Sequence, residues 1–348
     1  MKTHESFSSE ESLEEKDIQR ERIIAKTSYS LDMGTAKELL FKMAKTQDHD
    51  MYDIAKEIIP EKESNPRIDG YDEFGAKIFK TNIRNMENFF HYYLQNRNKL
   101  GIPPEMASQM RSELDDISSI KRNGLLEMDK LSQIETASDK RSTTVFTQGD
   151  YFTHVKGISE VVPGAGIGEV ECRLYLCPRS DKVIELSKAI INENLDDNPI
   201  RPYYFKFAHS GERNDRIVYY TNFERIPKDL EIFNKISKEQ PELFRGMGKN
   251  PFWGDIEGAP KGVYFGEEPN QEKIPYEYEG GRSYGSIRAA AFEQAYQKWC
   301  SLSTTSKRFS TIESSSNISD TDTEDFYELF GEELEYFGVN PNNPCSNK

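Results

Sequence analysis

The residue of this chain best suited to act as a base is a lysine inside an aromatic segment. Lys206 lies in RPYYFKFAH between Phe205 and Phe207, and alternation along a strand puts its amine on the face opposite those two rings. An amine on a partly enclosed surface can have its pKa lowered, especially beside arginines, and can then take a proton. The alternative is a lysine on a solvated sheet face.

Several cationic side chains could assist such a base. His154 precedes the lysine in the chain, and Arg213 and Arg216 flank Asp215 where a hairpin turn is expected. Guanidinium groups match the geometry of phosphate oxygens and bind them with paired hydrogen bonds. The guanidinium groups of Arg213 and Arg216 would therefore suit a phosphate dianion.

A second pair of arginines surrounds a glycine turn that enters a helix. The segment GGRSYGSIR carries Arg282 and Arg288, and backbone N–H groups at the start of a helix favour bound anions. The alternative is an ordinary helix cap by Ser283 or Ser286, with both arginines in solvent.

Composition and motifs exclude several other classes of function. The chain has 45 Lys and Arg against 60 Asp and Glu, a net charge of −15, which disfavours general nucleic-acid binding. No nucleophile elbow, P-loop, HExxH or dinucleotide fingerprint occurs, and the four cysteines lack metal-ligand spacing. No apolar run approaches the ~18 residues of a membrane span, and the start MKTHESFSSEESLEEK lacks the apolar core of a Sec signal peptide.

The elements that must position these residues follow from changes in composition along the chain. Residues 1–25 are rich in Ser and Glu and are predicted to be disordered, whereas 26–135 show helical periodicity. Residues 136–149 indicate a linker, and 150–300 alternate between strand and helix patterns. Residues 301–348 form an acidic, Ser/Thr-rich tail in which a short docked helix is expected.

The segment 150–300 predicts an α+β core. EVECRLYLC alternates as a strand with one buried face, and RPYYFKFAH and RIVYYTN form a hairpin. The order strand–helix–strand–strand–helix–strand is the split βαβ arrangement. We therefore predict an antiparallel or mixed sheet with helices on one face, preceded by a helical N-terminal region.

The core motifs and the C-terminus resemble the HopA-type effectors delivered by type III secretion systems. The resemblance is carried by YFKFA…ERNDRIVYY, KGVYFGEEP and GRSYGSIRAAAFEQA, with YFTHV before them and FGVNPNNPCSNK at the end. The positions that match the family's motifs are Lys206, Asp215, 262–269, Ser283, Gly285 and Arg288.

The resemblance implies a place of action and partners. HopA-type effectors leave the bacterial cytoplasm through a type III system, enter the host cell, and bind a dedicated secretion chaperone through their N-terminal part. For this chain the resemblance implies chaperone binding within 26–135, where Leu39, Leu40 and Met43 are expected to form an exposed apolar stripe. The implied target is a host protein or a phosphopeptide.

The resemblance also implies a chemistry. Relatives in lanthipeptide and thioamitide pathways are lyases that remove phosphate from phosphoserine or phosphothreonine by β-elimination, without a metal or an organic cofactor. On this expectation Lys206 is the base, His154 is the acid, and the phosphate-binding residues are Arg213, Arg216, Arg282 and Arg288. The alternatives are a non-catalytic effector and a phosphopeptide-binding module without turnover.

Overall fold

The structure, a computed structural model, describes thirteen stretches of the chain. They are residues 9–29, 31–45, 51–56, 68–69, 87–88, 90–99, 101–122, 146–148, 152–156, 169–195, 203–245, 249–302 and 314–348.

An eight-stranded antiparallel sheet organises the described residues, in the spatial order β1-β7-β8-β4-β6-β5-β3-β2. The strands are β1 (Thr27–Ser28), β2 (Phe146–Gln148), β3 (Phe152–Lys156), β4 (Cys172–Leu176), β5 (Tyr204–Ala208), β6 (Ile217–Thr221), β7 (Gly254–Ile256) and β8 (Val263–Glu267). The helices are α1 (Ser9–Ile24), α2 (Met33–Lys45), α3 (Met51–Lys56), α4 (Pro104–Arg122), α5 (Val183–Leu195), α6 (Ile226–Glu239), α7 (Tyr284–Leu302) and α8 (Asp320–Tyr336).

The middle of the sheet has the predicted split βαβ topology. Its four strands lie in the order β8-β4-β6-β5, with α5 between β4 and β5 in the chain and α6 between β6 and β8. Leu174 and Phe205 face these two helices and share one apolar cluster with Leu186 of α5 and Phe233 of α6. The alternating burial of β4 and β5 sets this packing, and the predicted α+β class is confirmed.

Helices cover both faces of the sheet, whereas the sequence had indicated one face. Tyr175 and Val218 point to the second face and belong to an apolar cluster with Ile287 of α7 and Phe330 of α8. All five residues of β6 are buried. A central strand that is apolar on both sides needs cover on both sides, and this is why α7 packs on the face opposite α5 and α6.

Residues 9–24 form a helix, although disorder had been expected for residues 1–25. Helix α1 spans Ser9–Ile24, Ile23 is buried, and the Arg20 guanidinium donates two hydrogen bonds to the Glu267 carboxylate at 2.6 and 3.1 Å. This ion pair and the burial of Ile23 hold an acidic, hydrophilic sequence on the core, since tertiary contacts override a composition that favours solvation. Residues 1–8 lie outside the described part of the chain.

The apolar stripe of α2 packs into the core. Leu39 and Leu40 are fully buried in the cluster that contains Phe326 of α8, so they do not form the exposed surface that had been expected within 26–135. Met43 lies at the edge of the same cluster and is partly buried. Helices α2 and α3 therefore belong to the same packed unit as the sheet.

The C-terminal region packs on α7. Helix α8 begins at Asp320, where the Ser319 hydroxyl accepts a hydrogen bond from the Asp322 N–H as an N-cap. Phe326 and Phe330 are buried against Phe292 of α7, with ring centroids 4.6 and 5.4 Å from it. Spacing of four residues puts both rings on one side of the helix, and Glu328 between them is exposed.

The segment 136–149, predicted as a linker, contains a strand. β2 pairs with β3 at one edge of the sheet, and the remainder of the segment lies outside the described residues. A search of the described helices found none long and apolar enough to span a bilayer.

Candidate functional site

The candidate site lies on the face of the sheet that carries Lys206. In the strand register Lys206 of β5 is directly opposite His154 of β3 on one side and Val218 of β6 on the other. Arg173 of β4 is opposite Tyr220 of β6, which in turn is opposite Tyr204. Because directly paired residues point to the same face, the register brings the lysine, the histidine and Arg173 to one surface.

The Lys206 amine is largely enclosed. Its Nζ lies 4.1 Å from the centre of the Phe152 ring. The pKa of Lys206 is lowered to about 8, mainly by burial; Arg173, Lys56 and Arg213 also lower the pKa, and the Asp215 carboxylate opposes them. A lysine with this pKa is neutral in about one molecule in ten at pH 7, which is enough to supply a general base.

Arg213 and Asp215 form a two-point ion pair in the turn between β5 and β6. The Arg213 Nε and Nη2 donate to the two carboxylate oxygens of Asp215 at 2.9 and 3.0 Å. The guanidinium carbon lies 4.9 Å from the centre of the Phe152 ring, so Phe152 contacts both Arg213 and Lys206. Lys56 of α3 places its Nζ 4.0 Å from an oxygen of Asp215.

A second ion pair of the same form lies beside it. Arg173 donates from Nε and Nη2 to the carboxylate of Glu268, the latter at 2.9 Å. Its guanidinium carbon lies 5.2 Å from the centre of the Tyr220 ring, which stacks on Tyr204 at 4.3 Å. In both arginines the carboxylate pairs with Nε and Nη2, so neither ion pair uses Nη1.

These charged groups form one assembly, which we call the cationic cluster: Lys56, Arg173, Lys206, Arg213, Asp215 and Glu268. With every group ionised, the cluster has two more positive than negative charges, although the whole chain carries −15. A local excess of cations on a partly buried surface attracts a dianion more strongly than the same charges would in open solvent.

Ser283 and Gly285 place the start of α7 beside the cationic cluster. The Ser283 and Ser286 hydroxyls lie 2.8 Å apart, and Tyr52 of α3 lies next to Gly285. A Cβ atom at Gly285 would lie 2.9 Å from the Tyr52 ring, so only glycine permits this contact. Burial raises the pKa of the Tyr52 hydroxyl, which keeps it protonated.

Arg216, predicted to bind phosphate, is used inside the fold. It is fully buried, and its guanidinium donates to the carbonyl oxygens of Pro178 at 2.7 Å and Arg213 at 3.0 Å, and to that of Gly211. These bonds close the turn that presents Arg213. Arg216 thus stabilises the turn that carries Arg213, and it lies outside the cationic cluster.

Arg288, the second predicted phosphate-binding residue in a buried position, contacts the C-terminal segment. Its Nε donates to the Pro344 carbonyl at 2.9 Å, and its guanidinium carbon lies 3.9 Å from the centre of the Tyr284 ring. Arg282 lies in the exposed loop before α7, and its Nη2 approaches the Tyr278 carbonyl at 3.4 Å. Neither arginine is brought into the cationic cluster.

His154 shares the face with Lys206 but leans along the strand in the other direction. Its Nδ1 lies 3.0 Å from the Tyr204 hydroxyl. The Lys206 amine instead approaches Phe152, which pairs with Ala208 nearer the turn. The structure thus brings together Lys206, Arg213 and Asp215, and places the His154 ring against the Tyr204 hydroxyl.

The sequence analysis missed several members of the site. Arg173 lies in the strand segment EVECRLYLC and Glu268 in the segment KGVYFGEEP, and the sequence assigned neither residue a role. Tyr52 and Lys56 come from α3, far upstream of the core motifs, and no sequence signal links a short helix there to Lys206. Within the described residues, no group of three or more His, Cys, Asp or Glu side chains is arranged to hold a metal ion.

Comparisons with known proteins complete the description. No family model and no curated protein sequence matches the chain. Among solved structures, the chain is similar to the effector protein from Pseudomonas syringae pv. tomato strain DC3000, with 13% identity, a TM-score of 0.41, and 90% of this chain and 96% of that one covered. It is also similar to the effector protein from Pseudomonas syringae pv. syringae strain 61, with 13% identity, a TM-score of 0.37 and the same coverage.

Proposed function

We propose that the protein is a type III secreted effector whose core removes phosphate from phosphothreonine or phosphoserine residues by β-elimination. The observation that carries this proposal is the half-buried Lys206 amine, which contacts the Phe152 ring and has a pKa lowered to about 8, inside a cluster that has an excess of positive charge. A base next to an anion-binding surface is what the elimination of phosphate requires.

The chemical step needs one base and one proton donor. The neutral Lys206 amine takes the Cα proton, the electron pair forms the Cα=Cβ bond, and the Cβ–O bond breaks with release of phosphate. A proton then reaches the departing phosphate oxygen, and His154 is the proposed donor. The product is a dehydroamino acid, which makes the protein a carbon–oxygen lyase without a metal or an organic cofactor.

Two arginines are proposed to hold the phosphate. The nitrogen proposed for this contact is Nη1 of Arg213 and of Arg173, because Asp215 and Glu268 pair with Nε and Nη2 of these guanidinium groups. The carboxylates thus orient both groups before substrate arrives, and preorganised charges stabilise the developing dianion without reorganisation in the transition state.

A phosphopeptide-binding module without turnover is the second candidate. The observation that favours it is the same pKa of about 8, since most Lys206 amines are then protonated at neutral pH and would bind phosphate as a further cation. In this case the protein would retain phosphopeptides without changing them.

The test that separates the two candidates is mass spectrometry of a phosphothreonine peptide after incubation with the protein. A lyase releases phosphate and leaves dehydrobutyrine, which is one water lighter than the threonine that a phosphatase leaves. We expect the lighter product and its adduct with an added thiol. A peptide that is bound and recovered intact would support the binding module, and recovery of threonine would contradict both candidates.

The pH dependence of turnover tests the role of Phe152. Replacing Phe152 with Ala admits water to Lys206, so the pKa of that amine rises toward its ordinary value and less neutral amine is present at pH 7. The lost cation–π attraction acts in the opposite sense but contributes only about 0.5–1 kcal/mol. We expect kcat/KM at pH 7 to fall roughly tenfold and to recover above pH 9.

The control for this prediction is Phe152→Leu, which keeps apolar cover over the amine. Its pH profile should lie close to that of the unsubstituted protein. A Phe152→Ala profile whose rising limb stays where it was would show that the ring does not set the pKa of the base.

Delivery through a type III system is proposed from the sequence resemblance, with a chaperone contacting the region 26–135. Because Leu39 and Leu40 are buried under α8, a chaperone could reach them only if α2 left the core. Comparing export from a strain with an intact type III system and from one lacking it tests the proposal. Equal amounts of the protein in both culture supernatants would contradict delivery through a type III system.

A further inference from the structure

We propose that α3 belongs to the phosphate-binding site and that its Lys56 contacts the phosphate together with Arg213. This inference rests on the proposed function for the nature of the ligand, a phosphomonoester on a peptide. It extends the site from the core motifs to an upstream helix that had been expected to serve only as part of a partner-binding region.

The position of Lys56 is the first argument. The residue is only 6% exposed, and its Nζ lies 4.0 Å from Asp215 Oδ2 and 3.2 Å from the centre of the Tyr52 ring. At 4.0 Å the contact with Asp215 is an ion pair too long to be a hydrogen bond. Arg213 engages both oxygens of Asp215, so the Lys56 ammonium and the Arg213 guanidinium lie beside the same carboxylate. A phosphate bound by Arg213 would therefore lie next to Lys56.

The way α3 is held is the second argument. Its last carbonyls are bonded to the neighbouring loops: Ala55 accepts from the Asn214 side chain at 2.8 Å and from the Asn250 side chain at 3.3 Å. The Lys56 carbonyl accepts from the Asn214 N–H at 3.0 Å. Asn214 lies between Arg213 and Asp215 in the chain, so these bonds fix Lys56 relative to the arginine that we assign to the phosphate.

The packing around Tyr52 is the third argument. Its ring contacts the Lys56 ammonium at 3.2 Å from the ring centre and lies against Gly285 at the start of α7. Three elements thus converge on the cationic cluster: α3, the turn after β5 and the first residues of α7. This arrangement explains why glycine occupies the motif position 285, because Gly285 accommodates the Tyr52 ring that contacts Lys56.

A purely structural role is the competing explanation for Lys56. A lysine that only neutralises the buried Asp215 would affect the free energy of unfolding and leave the affinity for phosphate unchanged. A lysine that contacts the ligand must change that affinity. The two roles therefore differ in a binding measurement and not only in stability.

The experiment compares Lys56→Gln with Lys37→Gln by titration calorimetry of the full chain with a phosphothreonine peptide and with inorganic phosphate. Lys37 is a matched control, since it also lies on an N-terminal helix and pairs with an aspartate, Asp320. We expect Lys56→Gln to weaken phosphopeptide binding roughly 10- to 100-fold, as for the loss of one charge-assisted hydrogen bond. Lys37→Gln should change it less than about twofold, and Lys56→Arg should restore most of the affinity.

A second measurement does not depend on the folding of Lys56→Gln. Reductive methylation with a 13C label keeps lysine charges and gives each lysine an NMR signal. The signal absent from Lys56→Arg should shift when inorganic phosphate is added, whereas the signal absent from Lys37→Arg should not. A Lys56 signal that does not shift when phosphate is added would overturn the inference. A stable Lys56→Gln protein with unchanged phosphopeptide affinity would overturn it as well.

The outcomes also separate this inference from the proposed function. An unsubstituted protein that binds phosphopeptide through Lys56 but never forms a dehydroamino acid would leave the inference standing and overturn the lyase. A Lys56→Gln protein with unchanged turnover and unchanged phosphopeptide affinity would overturn the inference and leave the lyase standing. Absence of both binding and turnover would overturn both.

Discussion

Lys206→Arg is expected to lower kcat/KM for a phosphothreonine peptide by about 10³-fold or more while the Kd changes less than about threefold. Arginine keeps the positive charge in the cationic cluster, so the phosphate is still attracted. A guanidinium with a pKa above ~12 cannot accept the Cα proton near neutral pH. The substitution thus removes the base and preserves the electrostatic environment.

Lys206→Ala is the companion variant, and it should be equally inactive. Both variants require an unchanged melting temperature to be informative, because β5 lies between β3 and β6 in the sheet. Stopped-assay mass spectrometry measures turnover, and calorimetry with the same peptide measures binding. A Lys206→Arg protein that still forms dehydrobutyrine would remove the lysine from its assigned role.

Arg288→Ala is expected to destabilise the protein by about 3 kcal/mol or more and to lower Tm by roughly 5–10 °C. The side chain is fully buried, donates to the Pro344 carbonyl and lies against the Tyr284 ring. Its removal leaves a cavity, and the Pro344 carbonyl loses its donor. Thermal unfolding followed by circular dichroism measures the effect.

The same variant discriminates between two roles for Arg288. If the arginine only fixes the C-terminal segment, phosphopeptide affinity measured well below Tm should stay within about twofold of the unsubstituted protein. Arg282→Ala is the matched control, since that side chain is exposed and should leave Tm nearly unchanged. A loss of phosphate affinity in folded Arg288→Ala would return the residue to the phosphate-binding set.

The sequence alone was sufficient for the α+β class and the split βαβ topology. Strand alternation is a local property, so EVECRLYLC and RPYYFKFAH show which residues face the crossover helices without knowledge of the rest of the fold. The same parity placed Lys206 on the opposite face, where the structure has it. The tendency of Phe326 and Phe330 to avoid water likewise indicated a helix packed on the core.

Other features depended on contacts between distant segments. Composition suggested disorder for 1–25, but the pairing of Arg20 with Glu267 and the burial of Ile23 hold α1 on the sheet. The second layer of helices depends on β6 being buried on both faces, which the sequence pattern of a hairpin strand does not reveal by itself.

The charged residues show most clearly which features follow from the sequence and which depend on tertiary contacts. Residue type and spacing identify arginines that could bind phosphate, but the partner of each guanidinium is set by the carbonyl or carboxylate that packing brings within hydrogen-bond distance. Arg216 and Arg288 therefore bind backbone carbonyls, while Arg213 pairs with the Asp215 carboxylate. Lys56 joins the cluster only because Asn214 and Asn250 bind the end of α3. Local patterning determined the strands and the face that carries Lys206. Tertiary packing decided which cations surround that lysine, because long-range contacts are not encoded in the spacing of neighbours along the chain.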